Sequence, residues 1–291
     1  MSPIMAELHC LEIYSPEDRA ELLSAALALH VRHGWEEEDC GSGGLLARVH
    51  ASGRESCLEL EAILRSLCPE WRIARSLRPE EDWLNEWKTF FTPVEAGSRF
   101  LVLAPWMTEE YEKSSRLPVI IEPKMAFGTG HHASTALCLR ALSDLADSGS
   151  IVAGQRFLDL GTGSGILGIS AARLGLRGIG VDTDLTAVEN ALENRAINAV
   201  EEKAFQVRRG SLEVVPEKDF DLVLANILAG PLLDMAGEIV SRLRRGGSLV
   251  LSGILLSQAG RVEGEYRALG LPPAGISSQG EWAALLWDSR G

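Results

Sequence analysis

Along the first eighty residues, short apolar runs alternate with amphipathic stretches. Leu8 to Tyr14 reads as a strand, and Ser15-Pro16-Glu17 as a helix start with a capping Ser and a Pro in the first turn. That helix is expected to run to about Val31, with Leu22, Leu23, Ala26 and Leu29 at helical spacing, and to stop at Gly34. Trp35 to Asp39 and Leu45 to Ala51 read as strands around Gly41-Ser42-Gly43-Gly44. A second helix over Glu55 to Leu67 and a strand over Trp71 to Leu77 follow. The order β-α-β-β-α-β predicts a ferredoxin-like α+β domain over residues 1–78. Such a fold hosts many functions, so it assigns no activity.

Pro79, followed by Glu80, Glu81 and Asp82, suits the start and dipole of a helix, and Thr92-Pro93 stops it. Residues 79–93 are therefore expected to form a linker helix, with Trp83 and Trp87 four apart on one face. Those indoles are open to two readings, packing against the next domain or gripping a substrate. From about Val94 the rhythm changes. Strands are expected at Arg156–Leu160, Gly178–Val181, Phe205–Arg208, Asp221–Ala225 and Ser248–Ser252. Helices are expected at Ile166–Leu174, Leu185–Ala196, Pro231–Leu243 and Ser257–Leu269, with two extended pieces around Gly280 between Ala274 and Trp287. This α/β alternation over residues 94–291 predicts a Rossmann-like, doubly wound parallel sheet ending in an antiparallel hairpin.

With 46% hydrophobic and 24% charged residues, the 291-residue chain has the composition of a folded protein. Lys and Arg number 28 against 41 Asp and Glu, a formal charge of −13, which argues against direct gripping of nucleic acid. The five cysteines show no paired C-x-x-C spacing and read as reduced thiols. No signal peptide or membrane span is apparent, and the expected location is cytoplasmic.

The chemistry concentrates in three segments. Leu158-Asp159-Leu160-Gly161-Thr162-Gly163-Ser164-Gly165-Ile166 lies between a strand and a helix, where glycines let the backbone turn tightly against a ligand. Asp182 closes the next strand about twenty residues on, where a carboxylate can accept the hydroxyls of an adenosine ribose. The pattern is G-x-G-x-G, not the G-x-G-x-x-G that seats a dinucleotide pyrophosphate on a helix N-terminus. S-adenosylmethionine has no pyrophosphate, and Asp159 is placed to meet the ammonium of its methionine tail, directly or through water. Asn226 follows the apolar run Leu222-Val223-Leu224-Ala225 at a strand's carboxyl end. It is open to two readings, a carbonyl turned toward an incoming amine or a helix N-cap before Pro231. The third segment runs from Glu122 through Phe127, Gly128 and Gly130 to His131-His132-Ala133-Ser134-Thr135 and reads as a ligand-covering loop before a helix. Neither His131 with His132 nor His30 with His33 has metal-ligand spacing, so no metal is expected.

Together, Met125-Ala126-Phe127-Gly128-Thr129-Gly130-His131-His132, the glycine turn, and Ala225-Asn226-Ile227-Leu228-Ala229-Gly230-Pro231-Leu232 resemble the ribosomal protein L11 methyltransferase (PrmA) family. So do Ser252-Gly253-Ile254-Leu255 and Gly280-Glu281-Trp282, and the resemblance covers most of residues 79–287. It implies a class I methyltransferase fold at residues 94–291, S-adenosyl-L-methionine as cofactor, and methylation of the α-amine and lysine ε-amines of that ribosomal protein. The family's small N-terminal domain is matched over residues 1–78 in order of elements but by no motif; these residues are expected to form a substrate-recognition domain that docks the ribosomal protein, the alternative being a fixed structural appendage. Carried over by position, the cofactor contacts are Thr135, Gly161, Asp182 and Asn226; Gly163 of the glycine turn and Phe127 are expected to join them, with Asn226 as the catalytic side chain. Residues 131–135 read His-His-Ala-Ser-Thr where many members have Thr-His-Pro-Thr-Thr.

Methyl transfer from a sulfonium needs near-attack geometry and a neutral amine rather than a strong base. The expected pocket is dry, using Asn226 with Phe127; Trp282 is open to a pocket role or to a place in the core of the last hairpin. Rival readings are the same fold acting on another protein or small-molecule amine, an NAD-dependent dehydrogenase, and a binding module without catalysis.

Overall fold

The computed structural model describes residues 7–31, 35–40, 44–51, 53–79, 92–109, 111, 114–122 and 132–288. The chain divides into two compact units, Met1–Phe91 and Thr92–Gly291.

The first unit contains β1 (Glu7–Ser15), α1 (Ala20–His30), β2 (Glu36–Asp39), β3 (Leu45–Ala51), α2 (Arg54–Leu67) and β4 (Arg72–Pro79). Its strands lie in the order β2-β3-β1-β4 with antiparallel neighbours, the arrangement of a ferredoxin-like sheet. Alternation along β1 buries Leu11 and Ile13 against Leu23, Leu27, Leu64 and Trp71. Two local expectations fail here. Ser15 does not cap a helix: it ends β1, and α1 begins at Ala20 after a 3₁₀ turn over Glu17–Arg19, with no side-chain cap. The Ser15 hydroxyl instead accepts the N–H of the buried Trp71 indole at 3.0 Å. An indole N–H left unpaired in the core is costly, whereas a helix end near the surface finds water. Leu22 is 47% exposed, so the apolar stripe runs through Leu23, Ala26 and Leu27; the side chain of Leu29 lies outside the described residues. The expected linker helix, with Trp83 and Trp87, falls on residues 80–91 for the greater part and likewise lies outside them.

The second unit opens with a small sheet that local patterning missed. It contains β5 (Val94–Ala96), β6 (Phe100–Leu103) and β7 (Leu117–Ile120), in the order β5-β6-β7. Helix α3 (Ala133–Ser148) leads into the main sheet. That sheet is built from β8 (Arg156–Leu160), β9 (Arg177–Asp182), β10 (Phe205–Arg209), β11 (Phe220–Asn226), β12 (Leu243–Leu255), β13 (Gly275–Gln279) and β14 (Trp282–Trp287). The intervening helices are α4 (Ile166–Arg173), α5 (Leu185–Ile197), α6 (Ala229–Asp234), α7 (Ala236–Arg242) and α8 (Leu256–Ala268).

Strand order is β10-β9-β8-β11-β12-β14-β13. The strands from β10 to β12 run parallel, and β14 and β13 are antiparallel. Winding goes outward from β8 to β10 and then returns to β11, which places a crevice at the carboxyl ends of β8 and β11. Layers cover both faces. Phe157 of β8 joins one core, with Leu139, Leu142 and Ile169, and its neighbour Leu158 joins the other, with Ile239, Leu249 and Tyr266. The expected helix over Pro231–Leu243 is instead two short ones separated at Met235. The break turns Met235 toward the crevice, where its sulfur accepts the Ser211 hydroxyl at 3.6 Å.

Close packing around Phe205 sets one residue choice. A Cβ on Gly168 would lie 2.2 Å from that ring, and one on Gly180 2.8 Å from it. Gly168→Ala is therefore expected to destabilise the unit by about 1–3 kcal/mol. Thermal unfolding should show it at about 2–4 °C per kcal/mol. Adding Phe205→Leu should recover part of the loss, giving a double variant less unstable than the two single effects summed.

Candidate active site

The crevice is built on a backbone that doubles back after β8. Gly161, Gly163 and Gly165 have φ of 72°, 54° and 82°, left-handed values that side chains with a Cβ resist. The N–H groups of Gly161 and Thr162 both donate to the Val181 carbonyl at 2.9 Å, tying the turn to the end of β9. Ile227 packs directly against the turn, so that a Cβ on Gly161 would lie 2.3 Å from the Ile227 Cγ2.

Asp182 ends β9, and two backbone donors hold its carboxylate. Oδ2 accepts the Gly163 N–H at 2.9 Å, and Oδ1 accepts the Asp184 N–H at 3.0 Å. Each oxygen keeps a further acceptor position, and the residue lines a cavity of about 660 Å³ together with Gly161, Gly163, Ser211, Asn226, Ile227 and Met235.

Asp159 lies behind the turn and is fully buried. Its Oδ2 accepts the Thr162 hydroxyl at 2.6 Å and the Gly168 N–H at 3.0 Å. Its Oδ1 is buried without a hydrogen-bond partner among the described residues. Burial pushes this carboxyl up to about 6, against the lowering effect of the Thr162 and Gly168 bonds, and the charge of Asp182 adds to the rise. An acceptor oxygen left unpaired inside a protein marks a place for a donor or a cation.

Asn226 closes β11 opposite Ser252 of β12. Its Nδ2 donates to the Thr135 Oγ1 at 3.1 Å, while its Oδ1 is buried without a hydrogen-bond partner among the described residues. Thr135 sits fully buried in the first turn of α3. One end of the carboxamide is thus held and the other is left to accept. Asn226 is not the N-cap of α6, a position Leu228 takes. His132 caps α3: its Nδ1 accepts the Ser134 N–H at 3.3 Å and lies 2.8 Å from the Ser134 hydroxyl. The His132 ring meets the Trp282 indole edge-on, with centroids 4.5 Å apart. Trp282 is half-buried, at the start of β14 beside Leu255.

Four of the residues singled out from sequence, Gly161, Gly163, Asp182 and Asn226, therefore line one cavity, and Thr135 stands behind Asn226. Phe127 and His131 lie outside the described residues. Ser211 and Met235 of the cavity wall escaped the sequence reading. The available signal for Ser211 was its place directly after a strand that runs parallel into the same crevice. An acidic, glycine-floored crevice with two unpaired acceptor oxygens nearby suits a ligand that carries hydroxyls and a positive charge.

The family model for ribosomal protein L11 methyltransferase (PrmA) matches residues 50–290. A curated relative of that name from Symbiobacterium thermophilum is 41% identical over 209 residues, which is 71% of this chain and 66% of the relative. Another, from Pelotomaculum thermopropionicum, is 41% identical over 231 residues, 78% of this chain and 72% of the relative. Among solved structures, a ribosomal protein L11 methylase from Lactobacillus delbrueckii subsp. bulgaricus superposes with a TM-score of 0.59 at 27% identity. That match covers 67% of this chain and 97% of the other.

The Asp159 carboxyl titrates near 6 in the folded chain and near 3.9 in an unfolded one. The folded state holds that proton more tightly, so the contribution to stability is full below about pH 4 and is lost as the pH rises through 6. Asp159→Asn keeps an acceptor for Thr162 and Gly168 and has nothing to ionise. Relative to this variant, the wild-type chain is expected to lose on the order of 2–3 kcal/mol between pH 4 and 7. Denaturant melts at pH 4, 5.5 and 7 test this, and parallel stability curves would contradict it.

Proposed function

The chain belongs to the ribosomal protein L11 methyltransferase family, and we propose that it transfers methyl groups from S-adenosylmethionine to amines of that ribosomal protein. The residues present fit the cofactor. Asp182, pinned by the N–H groups of Gly163 and Asp184, offers its remaining acceptor positions to the ribose hydroxyls. The turn at Gly161 and Gly163 lines the cavity with left-handed backbone, and a Cβ on Gly161 would collide with Ile227. The unpartnered Asp159 Oδ1 matches an ammonium, directly or through water. When bound, S-adenosylmethionine supplies a methyl group already activated on a sulfonium.

The observation that carries the choice of acceptor is the Asn226 carboxamide. Thr135 occupies its Nδ2, which leaves the buried Oδ1 to accept an N–H of the incoming amine. That bond would orient the nitrogen lone pair toward the methyl group, as a near-attack arrangement requires. No strong base is required. An α-amine, with an ordinary pKa of about 7.7–8.0, is partly neutral at cellular pH, while a lysine near 10.4 must shed its proton on entering the apolar mouth.

Residues 1–78 we assign to recognition of the ribosomal protein, residues 79–93 to the linker, and residues 94–291 to methyl transfer. The net charge of −13 accords with a basic protein partner and not with direct nucleic-acid binding. Among the described residues no helix is long and apolar enough to cross a membrane, and work on a ribosomal protein accords with a cytoplasmic enzyme.

Asn226→Ala is expected to lower the rate of methylation of the ribosomal protein by roughly a hundredfold or more, the scale of a lost orienting contact. Thr135→Val, which frees the amide without removing it, should cost about tenfold. Mass spectrometry of the ribosomal protein after timed incubation reads both. A wild-type rate in Asn226→Ala would exclude the role given to this side chain. Modification of other amines but not of the ribosomal protein would favour the second reading, a different amine substrate.

A further inference from the structure

Behind the glycine turn, Asn194 of α5 and Asn198, which caps the C-terminus of that helix, lie one helical turn apart, both with almost no exposure. Asn198 Nδ2 donates to the Ile120 carbonyl at 2.6 Å and its Oδ1 accepts the Ile120 N–H at 2.9 Å. These are the two bonds that a neighbouring strand would make to one residue. Asn194 divides its carboxamide differently. Its Oδ1 accepts the Glu122 N–H at 2.9 Å, just past β7, and its Nδ2 donates to the Ser164 carbonyl at 2.9 Å and lies 3.3 Å from Asn190 Oδ1. Ser164 directly follows Gly163, whose N–H holds Asp182. One buried amide thus joins the turn under the cavity to the end of a different sheet.

We propose that Asn194 is a positioning residue for the cofactor site, its carboxamide holding the Ser164 carbonyl so that the Gly163 N–H stays on Asp182. The assignment rests on reading the cavity as the S-adenosylmethionine site. Glycines leave the turn free to take other backbone conformations; the two bonds to Val181 tie its first half to β9, while the second half is closed on itself by the Gly165 N–H donating to the Thr162 carbonyl at 2.8 Å. The Asn194 bond supplies a constraint on the second half. Asn198 provides the comparison: it caps the same helix, with the same chemistry and similar burial, and makes no bond to the turn among the described residues.

The test uses the full chain with Asn194→Asp, which keeps an acceptor for Glu122 and removes the donor to Ser164, beside Asn198→Asp. Titration calorimetry with S-adenosylhomocysteine should show about tenfold weaker binding for Asn194→Asp. In steady-state assays KM for S-adenosylmethionine should rise by a similar factor, with kcat and KM for the ribosomal protein within about threefold of wild type. Asn198→Asp should lower Tm and leave cofactor affinity within about threefold. If Asn194→Asp does not fold, Asn194→Ser, which buries no charge, carries the same readouts. Unchanged affinity in a folded Asn194 variant, equal weakening by Asn198→Asp, or loss of folding in both Asn194 variants would each overturn the proposal. A wild-type chain that binds no S-adenosylhomocysteine would instead overturn the reading of the cavity, which keeps the two failures distinct.

Discussion

The structure depends on one constraint at the end of β8, where the backbone must reverse at close quarters between two neighbouring strands. The reversal is possible because Gly161, Gly163 and Gly165 accept positive φ. It is made specific by hydrogen bonds: two N–H groups converge on the Val181 carbonyl and a third reaches Asp182. The turn then has a defined height above the sheet, with Ile227 packed directly against Gly161, and both line the cavity. A side chain on Gly161 would meet Ile227 before it met any ligand.

Around that floor the polar groups are deliberately incomplete. Buried polar atoms in folded chains are nearly always paired, yet Asp159 Oδ1 and Asn226 Oδ1 are buried without partners among the described residues. In both, the other end of the side chain is held firmly, by Thr162 and Gly168 in one case and Thr135 in the other. Fixing one end and leaving the second acceptor open is how a site is preorganised: the cost of orienting the group is met during folding and not during binding. The same incompleteness explains why Asp159 resists ionisation in the folded chain, since its burial is only partly compensated.

Much of this was legible in the sequence, for local reasons. Glycines at alternate positions after an apolar strand, a carboxylate at the end of the next strand and an asparagine after a third are all read along short stretches of chain. They coincide in space because parallel strands of such a sheet end at one edge. The Asn226–Thr135 bond spans 91 residues, and only family resemblance pointed to Thr135. Asn194 and Asn198 do not stand out in the sequence, because polar residues on an amphipathic helix ordinarily face water. The signal was there in Asn190, Asn194 and Asn198, spaced four apart along one stripe and all buried. Ser15 misled for a related reason: a serine before proline is a good cap locally, and only the tertiary fold shows that Trp71 claims its hydroxyl. The small sheet at Val94–Ile120 has strands of three or four residues, too short for alternation to register.

The central claim is that the adenosyl end of a sulfonium cofactor lodges between the glycine turn and Asp182. Titration calorimetry of the intact chain with S-adenosylmethionine and, separately, with NAD tests it most directly. Saturable one-to-one binding of the first and no heat from the second is the predicted result. Binding of NAD, or no binding of S-adenosylmethionine at millimolar concentration, would contradict it.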